Sequence, residues 1–115
     1  MSNDDHRMMT ALFGPGVEEH TQDSLRLIVV PGVRLPPGCT PENAFAIYVA
    51  SSAGGYESRL YFECPIRLKS GVEPKTTTLL ILGRTMYAPS INGVPASLPP
   101  HQAILAHLAR YEQAA

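Results

Sequence analysis

A chain of 115 residues with a formal net charge of −1 has room for one core and carries no basic footprint for nucleic acid. A hydrophobic share of 44% is too high for a disordered chain, and no apolar run approaches the roughly 20 residues that span a bilayer. The opening stretch, MSNDDHRMMT, is too acidic and polar for a signal peptide, so a cytoplasmic protein with two reduced cysteines is expected.

Asn3, Asp4 and Asp5 suit the start of a short helix, and Met8, Met9, Leu12 and Phe13 fall on one stripe of it. Gly14-Pro15-Gly16 ends that helix. Residues 17–24 are polar and read as a loop; residues 1–24 together carry a net charge of −4, which suits a solvated end. From Leu25, LRLIVV is rich in β-branched residues and predicts a strand. RLPPGCTPEN follows as a rigid turn, with Cys39 expected at its accessible tip and a helical turn able to start at Thr40-Pro41-Glu42.

AFAIYVA, from Ala44, predicts a second strand with Phe45, Ile47 and Val49 on one face and Ala46, Tyr48 and Ala50 on the other. SSAGGYES is a loop. RLYFECPIRL predicts a third strand, in which Cys64 shares the core face with Leu60 and Phe62. KSGVEPK is a turn and TTTLLILG a fourth strand. Residues 83–100 read as a long irregular crossover that packs on the body through Met86, Tyr87, Ile91 and Val94. A last helix begins after Pro99-Pro100 and buries Ile104, Leu108 and Tyr111, with Leu105 beside them. The order predicts an α+β fold: an antiparallel four-stranded meander with flanking N- and C-terminal helices.

Recognisable site motifs are few. GxGxxG, GxxxxGK[ST], CxxC, HExxH and GxSxG are all missing, and His101 and His107 are badly spaced for two metal ligands on one helical face. No metal and no cofactor are expected. Two thiols remain. Cys64, on a core face, is expected to behave as a small apolar side chain whose pKa burial raises. Cys39, in a turn, is the catalytic candidate, because an accessible thiolate near a helix start is the form that attacks.

The stretch from Ile28 to Gly71, IVVPGVRLPPGCTPENAFAIYVASSAGGYESRLYFECPIRLKSG, resembles a divergent bacterial branch of the ubiquitin-conjugating enzyme-like (UBC/RWD-like) superfamily. The likeness is a strand leading to LPPG, a second apolar strand leading to a glycine–tyrosine turn, and a third strand reading LYFECP. RTMYAPSINGVPASLPPHQAILAHLARY is similar to the family's active-site segment and following helix, with Leu98-Pro99-Pro100 where a Trp-Ser-Pro helix start is common. The resemblance implies a single UBC-like domain over residues 1–115, with an N-terminal helix and polar loop at 1–23 and a core at 24–113.

Two features depart from the family pattern. No His-Pro-Asn precedes the crossover, and no cysteine lies beyond Cys64, where the family's thioester cysteine would fall. The expected function is a UBC-like component of a bacterial ubiquitin-like conjugation or antiviral defence system. It would bind an activating enzyme, a ubiquitin-like protein or both, through Tyr87, Ile91, Asn92 and Val94. Two alternatives stand beside it. One is a catalytic conjugating enzyme that carries the modifier as a thioester on a displaced Cys39. The other is a non-enzymatic scaffold or interaction domain. No nucleic-acid or membrane partner is expected.

Overall fold

The computed structural model describes residues 1–50, 58–68, 71, 73–89 and 94–113. Helix α1 spans Asn3–Phe13. Its cap is Ser2, one residue before the expected group: the Ser2 hydroxyl accepts the Asp5 N–H at 3.0 Å. Asp4 and Asp5 occupy the first turn, where carboxylates complement the helix dipole. The helix ends at Gly14, whose φ of 87° suits glycine and whose N–H reaches the Thr10 carbonyl at 2.9 Å. The expected four-residue stripe narrows to Met9, which is fully buried, and the half-buried Phe13; Met8 and Leu12 are exposed.

Among the described residues the sheet has six strands, not four. They are β1 (Glu18–Gln22), β2 (Leu25–Arg34), β3 (Asn43–Val49), β4 (Arg59–Phe62), β5 (Thr76–Ile81) and β6 (Arg84–Pro89), followed by helix α2 (Pro100–Gln113). All pairs are antiparallel, and the order across the sheet is β1-β2-β3-β4-β6-β5. Two differences from the expected meander explain the count. The polar stretch 17–24 holds β1, which pairs with β2 through a tight turn at Asp23 and Ser24, both at positive φ. The stretch expected as an irregular crossover opens with β6, which folds back on β5 through Leu82-Gly83 and inserts beside β4. β6 takes the inner place because Met86 and Ala88 are apolar and fully buried, whereas β5 is threonine-rich and partly exposed.

β2 runs on through Pro31-Gly32, past the end of the expected LRLIVV strand. Val30 pairs with Ala46 and Val33 with Ala44, so one extra residue on β2 is absorbed as a bulge. β3 keeps the expected alternation. Ala44, Ala46, Tyr48 and Ala50 join one core, while Ile47, Val49 and the half-buried Phe45 join the other.

The first core lies between the sheet and the two helices and gathers Met9, Ile28, Val30, Tyr48, Leu60, Phe62, Ile104 and Tyr111 among others. On α2 the buried stripe is Pro100, Ala103, Ile104, His107 and Tyr111. It is rotated from the expected one, so that Leu108 is half-buried and Leu105 is exposed. The second core, Leu27, Val29, Ile47, Val49, Tyr61, Ile81, Met86 and Ala88, lies on the opposite face. That face stays dry because the sheet curls. The side-chain amide of Gln22, on edge strand β1, donates to the Leu80 carbonyl at 3.0 Å and accepts the Leu82 N–H at 2.8 Å. One edge of the sheet thereby meets the end of the other, five strands away in the sheet order. Among the described residues no helix is long and apolar enough to cross a membrane.

Candidate functional site

The thiols are the first candidates for chemistry, and both sit differently from expectation. Cys39 is not at an exposed tip: it is 4% exposed and belongs to the helix-side core. The cause is local pairing. Thr40 and Arg67 exchange backbone hydrogen bonds at 2.8 and 2.9 Å, which lays the turn against the segment holding Ile66 and Leu68. Cys39 drops between that segment and Leu35 in the same core. The same bridge replaces the expected helical turn at Thr40-Pro41-Glu42, so no run of helix N–H groups opens there to favour a thiolate.

Cys64 is outside the strand, because β4 ends at Phe62. It is half-buried and belongs to neither core cluster. Desolvation pushes its thiol pKa up, and the neighbouring Glu63 carboxylate adds to the rise. At neutral pH it is held as the unreactive thiol.

The expected recognition residues are also redistributed. Tyr87 lies in β6, half-buried, opposite Phe62 on β4 and Thr78 on β5. Val94 is 1% exposed and packs in the helix-side core. Ile91 and Asn92 lie outside the described residues. Tyr87 and Val94 therefore do not form one exposed loop patch.

A buried polar cluster that sequence reasoning missed lies beside Val94. The Ser58 hydroxyl, at the entry to β4, donates to the Val94 carbonyl at 2.8 Å. Its oxygen also lies 3.0 Å from Nε2 of His107 on α2. Ser58 and His107 are both almost completely buried. Tyr48 and Tyr111 flank the imidazole, with ring centroids at 6.3 and 6.5 Å. Burial depresses the His107 pKa to about 4, and the charges of Arg110 and Arg59 act in the same direction. Burial pushes both phenols up.

The proton count decides what this cluster can do. Ser58 has one hydroxyl proton, and the Val94 carbonyl can only accept it. With that proton on the Val94 carbonyl, the hydrogen of the Ser58–His107 contact comes from Nε2, the tautomer in which neutral His107 donates. In that tautomer His107 is a tether to Ser58 and not the base that a nucleophilic serine would need. The arrangement is a clamp. It ties α2, the start of β4 and the approach to α2 together at three otherwise unsatisfied polar groups. The signal in the sequence was present: His107 lies three residues after Ile104 and four before Tyr111 on a buried stripe.

Surface concavities flank the LPPG turn. An open groove of about 420 Å³ runs between Leu35-Pro36-Pro37 and Leu105, Leu108 and Ala109 on α2, with Arg34 and Glu112 at its rim. It is wide enough for an aliphatic side chain and presents no nucleophile. No protein-family model, curated protein or solved structure matches the chain.

Proposed function

We propose that this protein is a non-catalytic, UBC-like binding component of a bacterial ubiquitin-like conjugation or defence system. It acts in the cytoplasm and engages an activating enzyme or a ubiquitin-like protein. The observation that carries the non-catalytic part is the placement of the two thiols. A thioester carrier needs an accessible thiolate. Cys39 is 4% exposed within a core, and the pKa of Cys64 is raised by desolvation and by Glu63. The catalytic alternative through Cys39 would require the turn at 36–40 to leave the segment at 66–68. The UBC-like part is supported by the resemblance in Ile28–Gly71 and by the order helix, antiparallel strands, helix. The β1 edge strand and the inserted β6 go beyond the four-stranded family pattern.

The test is an ATP-dependent charging reaction with an activating enzyme and a ubiquitin-like protein from the same genome. It is resolved on non-reducing gels and paired with a direct binding measurement. The expected result is binding without a reductant-sensitive band. A band that disappears with reductant and with Cys39→Ser or Cys64→Ser would overturn the non-catalytic reading and identify the carrier. Absence of binding to either protein would overturn the conjugation reading.

A further inference from the structure

The sheet has two edges, and they are built differently. β1 is Glu18-Glu19-His20-Thr21-Gln22, and its carboxylates are the kind of charge that discourages pairing with another strand. β5 is Thr76-Thr77-Thr78-Leu79-Leu80-Ile81, six residues without a charge or a proline, although it is the last strand in the sheet order. Threonine and branched aliphatic residues favour extended pairing, and an uncharged edge of this kind is a template for another strand. Leu80 is 63% exposed on it.

The register says which backbone groups the edge offers. Ile81 and Arg84 close the two-residue turn at Leu82-Gly83, so Ile81, Leu79 and Thr77 turn their N–H and C=O groups toward β6. Thr76, Thr78 and Leu80 turn theirs outward. The Gln22 amide already bonds at this outer edge, donating to the Leu80 carbonyl and accepting the Leu82 N–H. A side-chain amide is there doing what a neighbouring strand's peptide group does. Gln22 covers only the end of β5 next to the turn and leaves Thr76–Thr78 beyond its reach.

We propose that the Thr76–Thr78 edge of β5 pairs with the same edge of a second copy of this chain, antiparallel and about a two-fold axis. Centring the pair on Thr77 sets Thr76 opposite Thr78 of the partner subunit, and the reciprocal pair follows from the symmetry. Four backbone hydrogen bonds form, and the contact with Gln22 is undisturbed. Threonine faces threonine, a favourable cross-strand pair. Lys75 faces Leu79 of the partner subunit, not another lysine, so no like charges oppose each other. The exposed Leu80 meets Pro74 of the partner subunit and is covered. A second copy is the occupant because the edge is short, uncharged and self-complementary. A charged partner peptide would find no counter-charge on the strand itself.

The experiment is sedimentation equilibrium or light scattering on the full chain from about 1 μM to about 1 mM, a range that spans dissociation constants of the same size. The wild type is expected to show a concentration-dependent monomer–dimer equilibrium. Thr78→Pro removes an outward N–H from an edge strand, where proline is tolerated. Thr78→Lys sets a charge opposite Thr76 of the partner subunit and diagonal to its own symmetry mate. Each is expected to weaken the dimer at least about tenfold, with far-UV circular dichroism and thermal midpoint close to wild type. Should Thr78→Pro unfold, Thr78→Lys decides alone. A protein that stays monomeric over the whole range overturns the proposal. So does a dimer that persists unchanged in the folded variants.

Discussion

The two faces of the sheet are sealed by different means. The helix side carries a buried polar clamp, Ser58 to His107 and Val94, inside an otherwise apolar core. The curled side is lined by Leu27, Ile47, Tyr61, Ile81, Met86 and Ala88, carries the buried Arg59 donating to the Thr77 hydroxyl at 2.7 Å, and is closed at the edges by the Gln22 amide. The difference follows from what positions each layer. On the curled side, backbone hydrogen bonds between strands already fix the register, so the buried Arg59–Thr77 contact there joins strands that the ladder has already ordered. A helix docked on a sheet has no such ladder and can slide or rotate. A buried hydrogen bond that is satisfied in only one arrangement fixes α2 where apolar contacts alone would allow several.

The largest expected effect is on the cores themselves. Ile104→Ala on the helix side and Met86→Ala on the curled side should each lose about 2–5 kcal/mol in denaturant unfolding, because both side chains are fully buried. A loss confined to the helix side would show that the curled face is not a true core.

Acid should separate the faces. The folded pKa of His107 is about 4, below the ordinary value of 6.5, so the unfolded chain binds the proton more readily. The stability from keeping His107 neutral is fully present above pH 6.5 and is lost as pH falls toward 4. The loss is about 3 kcal/mol at roughly 1.4 kcal/mol per unit. Stability measured from pH 7 to pH 4 should show this slope in the wild type, and His107→Gln should flatten it. A slope unchanged in the variant would place its origin elsewhere.

The smallest effect belongs to the curled side's closure. Gln22→Ala removes two hydrogen bonds at an exposed site and should lower stability by about 1 kcal/mol. It should also speed amide exchange at Leu82, whose N–H the Gln22 side chain accepts. Unaltered exchange there would mean that the edges do not depend on this contact.

How much of this was legible in the sequence depended on how local each cause was. β3 was readable because Phe45, Ile47 and Val49 against Ala46, Tyr48 and Ala50 is an alternation both cores obey. β1 was not, because Glu-Glu-His-Thr-Gln has no apolar alternation; it is a strand only because β2 offers a partner across a tight turn. β6 was hidden by Pro89 and by the punctuation around it, although Leu82-Gly83 is a hairpin signal. Of the site, the turn before Cys39 is legible in Pro36-Pro37-Gly38, where Gly38 takes a positive φ. The burial of Cys39 was not legible, since it depends on a pairing between Thr40 and Arg67, 27 residues apart in the numbering. The burial of His107 is hard to read because a polar residue on an apolar stripe does not announce which way it faces.

The central claim is that neither cysteine is poised to carry a thioester, and the rate of thiol modification tests it most directly. An aromatic disulfide reagent at neutral pH, with each site followed separately in the Cys39→Ser and Cys64→Ser variants, gives the two rates in native and denatured protein. Cys39 should be slowed about tenfold or more by folding because it is buried, and Cys64 should also be slower than in the unfolded chain because its pKa is raised. Either thiol reacting in the native protein as fast as in the denatured one, or faster, would contradict the account and restore that cysteine as a nucleophile.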